Sequence, residues 1–479
     1  MRTDPVKTWR LAAIAATAAL VSACAAPDID LAVQEANRAA PQFTGGKLEL
    51  SRTDQQRQAR EQVSEQVLAK PLGMDDAVRL ALANSPALQA LVAQSWSDLA
   101  EANQSGRIAN PVFTFERLRV GDATEIGRLL SFGLLDLLTL PRRMEIAGNQ
   151  QEQVKTRLGI DVVDQISQVR AAWVRAVAAQ QSLTYAQQVR QSAEAGAELA
   201  RRMQRVGNFT KLQRARQQAF YADAATQLAM AQQAAVATRE ELGRSLGLSD
   251  PQFAALKLPE RLPDLPKAPR APLDVSAAAM QQRLDVQLAR LQLDIAGKAQ
   301  GLKLLNSLID MELGIRHDTA SVDGRPDARE SRDGYELGIR LPIFDWGQAQ
   351  RAAMNAQSLA AANRYDSVAR AASSHLRQSY GAYRTAYDVA RHYRDEIVPL
   401  RKTISDENVL RYNGMLIGVF ELLADSRDQI ASVRAAIDAM QQFWLADAGL
   451  SSTVIGKPVA LAAAPASTST ASGGDGPGH

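Results

Sequence analysis

The sequence predicts a mainly α-helical chain with a membrane β-barrel, assembled from a unit of helix, strand, strand, long helix and long helix that occurs twice. Three observations predict it. No proline falls between Pro141 and Pro251, nor between Pro342 and Pro399. Ahead of each of these runs lie short segments in which apolar and polar residues alternate. The halves also repeat one another at a nearly constant offset of about 200 residues. Pro86 matches Leu284, Asn110 matches Asn306, Pro141 matches Pro342 and Gly207 matches Gly414.

The proline-free runs are rich in Ala, Gln, Arg, Glu and Leu, which are good helix formers. In the first, Ile160, Val163, Ile166, Val169, Trp173 and Val177 recur at threes and fours, the spacing of one helix face. Long helices are expected at about 142–205 and 208–248 in the first repeat, and at about 347–412 and 416–449 in the second. The turns between them fall at Gly207 and Gly414, and Pro399 should kink the outgoing helix of the second pair. A two-stranded coiled coil would show a strict heptad. The mixed spacing and the many alanines favour a wall of helices instead.

Strands are expected at about 110–120, 128–138, 307–317 and 334–345. The second pair is the clearer. Ile309, Met311, Leu313 and Ile315 alternate with Asp310, Glu312, Gly314 and Arg316, and Leu337, Ile339 and Leu341 alternate with Glu336, Gly338 and Arg340. Such strands have one apolar and one polar face. If they lie in a membrane, Leu337, Ile339 and Leu341 face lipid while Glu336 and Arg340 face a lumen. The segment between them, "TASVDGRPDARESRD", reads as a solvent loop. Four strands cannot close a barrel, and an open sheet edge cannot sit in hydrocarbon. Several copies must therefore share one barrel, and three copies would give twelve strands, an even number.

The remaining segments are read by composition. Residues 1–23 run from Arg2, Lys7 and Arg10 through an apolar stretch to Ser22 and Ala23, the order of an export signal. An ordinary signal would be cut near Ala26. Residues 24–70 are expected to be extended, 71–258 form the first repeat and 273–457 the second. Between the repeats, residues 259–272 hold five prolines and read as a stiff linker. Residues 458–479 are low-complexity and expected to be disordered. Formal net charge is +3 with charges interspersed, which leaves no basic stripe for nucleic acid.

The chain resembles the TolC-like outer-membrane efflux channel family, in its lipoprotein branch. The motifs that carry the resemblance are "LVSAC" ending at Cys24, "MDDAVRLALANSPAL", "ANPVFTFE", "LGIRLPIFDWGQAQRA" and "LRYNGMLIGVFELLADSR". The resemblance implies a homotrimer with a twelve-stranded barrel and a periplasmic helical tunnel. It also implies a place in the outer membrane, with a periplasmic adaptor and an inner-membrane pump, the RND type being the candidate, as partners. "LVSAC" resembles the lipobox, so Cys24 would carry S-diacylglycerol and N-palmitoyl chains, and Ala25 points to the outer membrane. The hairpin turns at Gly207 and Gly414 would face the adaptor. An acid near Glu421 would line the closed aperture, with Arg411 and Tyr412 tying neighbouring hairpins together. The sequence departs from the family pattern at Gln213, where an acid is common, and the Gly414 turn reads as one residue longer than the commonest form.

No catalytic set stands out, and no cofactor beyond the covalent lipid is expected. His317, His375, His392 and His479 are scattered without zinc-like spacing. Asp75 and Asp76 suit the positive end of a helix. Besides a passive export duct, the alternative is a periplasmic adaptor or a structural coiled-coil lipoprotein without a pore. An adaptor, however, would carry one helical hairpin, and this chain has two. The cysteine reading has a direct check: Cys24→Ser should abolish incorporation of radiolabelled palmitate, and equal labelling of the variant would refute it.

Overall fold

The computed structural model describes residues 28–121, 123–271, 280, 283–308, 311–322, 325–341 and 343–457. The export signal, Cys24 and the segment 458–479 lie outside the described residues, as do Ile309 and Pro342. The elements in chain order are α1 Ile29–Ala39, α2 Pro41–Thr44, α3 Asp54–Leu68, α4 Met74–Asn84, α5 Pro86–Ser105, β1 Val112–Val120 and β2 Ala123–Gly133. They continue with α6 Leu134–Arg205, α7 Lys211–Leu246, α8 Asp250–Ala255, α9 Leu284–Leu308, β3 Met311–Val322 and β4 Arg325–Ile339. The chain ends in α10 Gln348–His392, a π-turn at Tyr393–Ile397, α11 Val398–Asn413 and α12 Val419–Ile455. No described helix is long and apolar enough to cross a membrane. The chain divides into two compact units, the first formed by residues up to Ala172 with Arg239–Pro259 and Asp274–Ser374, the second by Trp173–Thr238, Glu260–Leu273 and the remainder from His375.

In the first unit, residues 28–70 are not extended. They form three helices with readable causes. Asp28 caps α1 by accepting from the Asp30 N–H. Ile29, Ala32, Val33 and Ala36 then bury one face at helical spacing. Thr53 and Gln56 form a reciprocal capping box that starts α3. The segment is tied down by polar contacts. The Asn37 side chain both donates to and accepts from the Leu48 backbone. Lys155 pairs with Glu35 at 3.2 Å, and the Arg170 guanidinium lies 4.7 Å from the Phe43 ring centre. Gln89 reaches the Glu49 carbonyl and the Ser51 N–H.

The strands form one antiparallel sheet in the order β1-β2-β3-β4, so the two repeats meet at the β2–β3 ladder. Their bounds differ from the sequence reading. The second strand ends at Gly133 because "LLDLLTL" turns helical, with Asp136 in the first turn held by Arg143 at 2.9 Å and the Thr139 hydroxyl donating to the Leu135 carbonyl. A short apolar run does not by itself distinguish strand from helix. Pro141 accordingly lies inside α6, not before it. The third and fourth strands reach further toward their shared turn than expected, to Val322 and from Arg325. Backbone pairing there continues through polar residues that had read as loop. Two open edges remain, one on β1 and one on β4.

In the second unit, Trp173, Val177, Tyr383, Tyr387 and Phe443 are fully buried. The proline-rich segment is no free spacer. Leu262 and Leu265 are buried, and its carbonyls accept from the side chains beneath them. The Trp444 indole donates to Pro263, the Tyr387 hydroxyl to Pro266 and the Tyr380 hydroxyl to Arg270. Arg270 in turn donates its N–H to the Tyr383 oxygen at 3.0 Å and pairs with Asp447 at 2.8 Å. Burial in this cluster pushes the Tyr383 phenol up. A chain without N–H groups at its prolines leaves its carbonyls to be satisfied by side chains, and here three aromatic donors supply that. The outgoing helix of the second repeat is not a single helix to 412. Pro399 lacks an N–H, and the helix widens into the π-turn just before it, with the Val398 N–H reaching back to the Tyr393 carbonyl.

Candidate pore elements: the amphipathic sheet and the hairpin tips

Directly opposed residues of an antiparallel ladder share a face, so the register sorts the sheet into two sides. On one side, starting from the ends that continue into helices, Met311 stands beside Ile339, and Phe132 aligns with Leu313 and Leu337. The next row is Phe113, Leu130, Ile315 and Tyr335. On the other side Thr114, Leu129 and Arg316 align, then Glu116, Gly127, Asp318 and Arg332, then Leu118, Glu125, Ala320 and Glu330. Glu312 and Glu336 lie on that second side as well. Arg316 pairs with Asp318 at 2.8 Å. The apolar side is not covered by the chain: Phe113, Phe115, Ile315, Tyr335, Leu337 and Ile339 are all exposed. The sheet thus has one apolar side, one charged side and two unpaired edges.

The hairpin tips of the second unit are built alike. At the first, the Asn208 N–H reaches the Met203 carbonyl at 2.9 Å and the Gly207 N–H reaches Gln204 at 3.1 Å. This pair of bonds is a Schellman motif with Gly207 at its left-handed position, φ 81°. At the second, the Leu416 N–H reaches Arg411 at 2.8 Å and the Met415 N–H reaches Tyr412 at 2.9 Å. The same motif is therefore present, but its left-handed residue is Met415, φ 58°, the one non-glycine with positive φ among the described residues. Gly414 sits at the turn with φ −80° and needs no glycine freedom. The structural counterpart of Gly207 is thus Met415, and the two turns, residues 206–210 and 414–418, have equal length.

The same alignment pairs Gln213 with Glu421, each at the third position of its helix. Gln213 closes a capping box. Its side-chain oxygen accepts from the Thr210 N–H at 2.7 Å, and the Thr210 hydroxyl accepts from the Gln213 N–H at 3.2 Å. An amide serves this role as well as an acid. The second hairpin has Gly418 at the cap, which offers no side chain. Glu421 is exposed, and its backbone N–H donates to the Gly418 carbonyl at 3.1 Å while its carboxylate makes no hydrogen bond or ion pair among the described residues. Arg411 and Tyr412 are exposed on the last turn of α11, and Met415 and Leu416 expose apolar side chains at the tip.

Sequence reasoning missed Asp425, one turn beyond Glu421. It is buried, and its Oδ2 has no hydrogen-bond partner among the described residues. The four-residue spacing from Glu421 was the available signal. It also missed the links between α12 and neighbouring helices. Arg427 lies 4.5 Å from the Phe220 ring centre, Arg434 donates to Gln227 at 2.7 Å, and Arg401 pairs with Asp428 at 3.2 Å. Burial raises the Asp438 carboxyl against the opposing pull of Arg434.

Neither protein-family profiles nor curated protein sequences match this chain. Solved structures do. The CmeC outer membrane channel of Campylobacter jejuni aligns with a TM-score of 0.68 at 14% identity, over 85% of this chain and 89% of that one. The outer membrane protein VceC of Vibrio cholerae aligns at 0.67 and 14%, over 80% and 96%. The Neisseria gonorrhoeae MtrE outer membrane channel aligns at 0.65 and 18%, over 80% and 89%. The fold is that of the outer-membrane channels. It is the TolC-like fold that the sequence resemblance implied.

The hairpin geometry makes a stability prediction. A side chain at a left-handed position costs about 1 kcal/mol where glycine costs little. Gly207→Ala should lower amide protection in the adjacent turns about fivefold, and Met415→Gly should raise it at the second tip. Hydrogen exchange resolved to residues 200–214 and 408–422 would check both.

Proposed function

We propose that this protein is the outer-membrane exit duct of a tripartite efflux system, conducting solutes passively from an inner-membrane pump and periplasmic adaptor to the outside. The observation that carries the proposal is the sheet, with its apolar side, its charged side and its two unpaired edges. Exposed backbone groups at those edges cannot remain unsatisfied in hydrocarbon. Three copies, joined β4 to β1, would close them into a twelve-stranded barrel with the apolar side to lipid and the charged side to the lumen. Its likeness to solved outer-membrane channels supports the same arrangement. Lipidation at Cys24 would add a second attachment to the outer membrane.

The second hairpin is the candidate gate. Glu421 lacks the cap that engages Gln213, so its carboxylate is available to a pore. Three copies in a confined aperture would form a ring of negative charge that draws cations. Arg411 and Tyr412 are free to bond a neighbouring copy's hairpin.

Two measurements test this reading. A charge at mid-membrane on the lipid side costs ~2–4 kcal/mol, so Ile315→Arg, in the row of Phe113, Leu130 and Tyr335, should deplete oligomer in the outer-membrane fraction, whereas Glu336→Leu should not. Equal yields would refute the strand assignment. For the gate, planar-bilayer recordings of Glu421→Gln should show weaker cation selectivity and weaker block by divalent ions. Arg411→Ser with Tyr412→Phe should raise conductance. Unchanged selectivity and block in Glu421→Gln would place the aperture elsewhere.

A further inference from the structure

The apolar side of the sheet changes character toward the β1–β2 turn. Along β1, Phe113 and Phe115 are followed on the same side by Arg117 and Arg119. On β2, Arg128 stands directly opposite Phe115. Residues two apart on a strand lie about 7 Å from one another. Arg117 and Arg128 are diagonal neighbours at about 7–8 Å. The acidic residues of these two strands, Glu116 and Glu125, lie on the other side of the sheet. Asp333, on β4, shares the arginines' side and is engaged with His317.

The two central arginines have little to do within the chain. Arg117 is exposed, and its side chain forms no hydrogen bond or ion pair among the described residues. Among the described residues the Arg128 side chain donates to the Thr319 hydroxyl alone, at 3.3 Å. The next row, beside Arg117, adds the hydroxyl residues Thr319 and Ser331. A guanidinium facing hydrocarbon would be costly. Arg128, level with Phe115, and Arg117, one row beyond it, would instead meet the polar layer of a bilayer.

We propose that Arg117 and Arg128 form a binding site for the phosphate groups of anionic lipid in the leaflet around the strand turns. The proposal rests on the membrane reading above. Acyl chains would lie against Phe113, Phe115 and Leu130, and the phosphate would be held by the arginine forks, whose planar donors match phosphate oxygens in pairs. Along the strands the apolar rows give way to the row of Phe115 and Arg128 and then to the row of Arg117, Thr319 and Ser331, the order in which acyl chain and headgroup follow one another in such a lipid.

The test uses the full chain reconstituted in phosphatidylcholine vesicles with trace spin-labelled phosphatidic acid or spin-labelled phosphatidylcholine. Electron spin resonance then reads the lipid fraction immobilised at the protein surface. Phosphatidic acid should associate about fivefold more strongly than phosphatidylcholine. That preference should fall to near equality in Arg117→Gln/Arg128→Gln and persist in Arg117→Lys/Arg128→Lys. Equal association of both labels with the unaltered chain overturns the proposal, and so does a preference that survives the glutamine change. If the glutamine variant loses oligomer but keeps the preference, the arginines serve contact with a second copy, which also overturns it. If neither label is immobilised, the membrane reading itself fails.

Discussion

Backbone hydrogen bonding at the edges of a four-stranded sheet is the constraint on which the rest of this structure depends. A strand in water can leave one edge to solvent, but a strand in hydrocarbon cannot. The chain supplies β2 and β3 with two partners each and β1 and β4 with one. The sheet's sidedness belongs to the same logic. Its two sides differ, with an apolar row of Phe113, Leu130, Ile315 and Tyr335 on one and a polar row of Glu116, Asp318 and Arg332 on the other.

The helices meet a parallel requirement by another route. In the second unit the proline-rich segment lies against aromatic side chains that donate to its carbonyls. Arg270 fastens its end to Asp447 and Ser451. Past this clamp, the π-turn and α11 bury no residue. Stability is thus concentrated near the aromatic cluster, and the second tip is held mainly by pairing with α12. Tips of low local packing density are the parts of a fold that can rearrange without unfolding the remainder.

What could be read in the sequence follows from which forces act locally. The long helices were legible because helix formers and the absence of proline act over many residues at once. The apolar rows of the strands were legible from alternation. Their ends were not, because ladder bonding passes through Thr319, Ala320 and Ser331 irrespective of polarity. The helices at Ile29–Ala39 and Asp54–Leu68 carried their signals in Asp28 and in the Thr53–Gln56 pair, which the polar composition of the segment obscured. At the candidate gate, glycine identity pointed to Gly414. The left-handed residue is instead Met415, selected by the carbonyls of Arg411 and Tyr412 rather than by its own side chain. Cys24, which the sequence reads as a lipidation site, lies outside the described residues.

The π-turn has a further consequence for how this chain tolerates change in length. Each residue added to a regular α-helix swings everything beyond it by roughly 100° about the axis. A single wide turn takes up one such residue and leaves the later side chains facing nearly as before. The orientation of Arg411 and Tyr412 is thereby insulated from an insertion upstream, and the duplicated halves could diverge in length without misdirecting the tip.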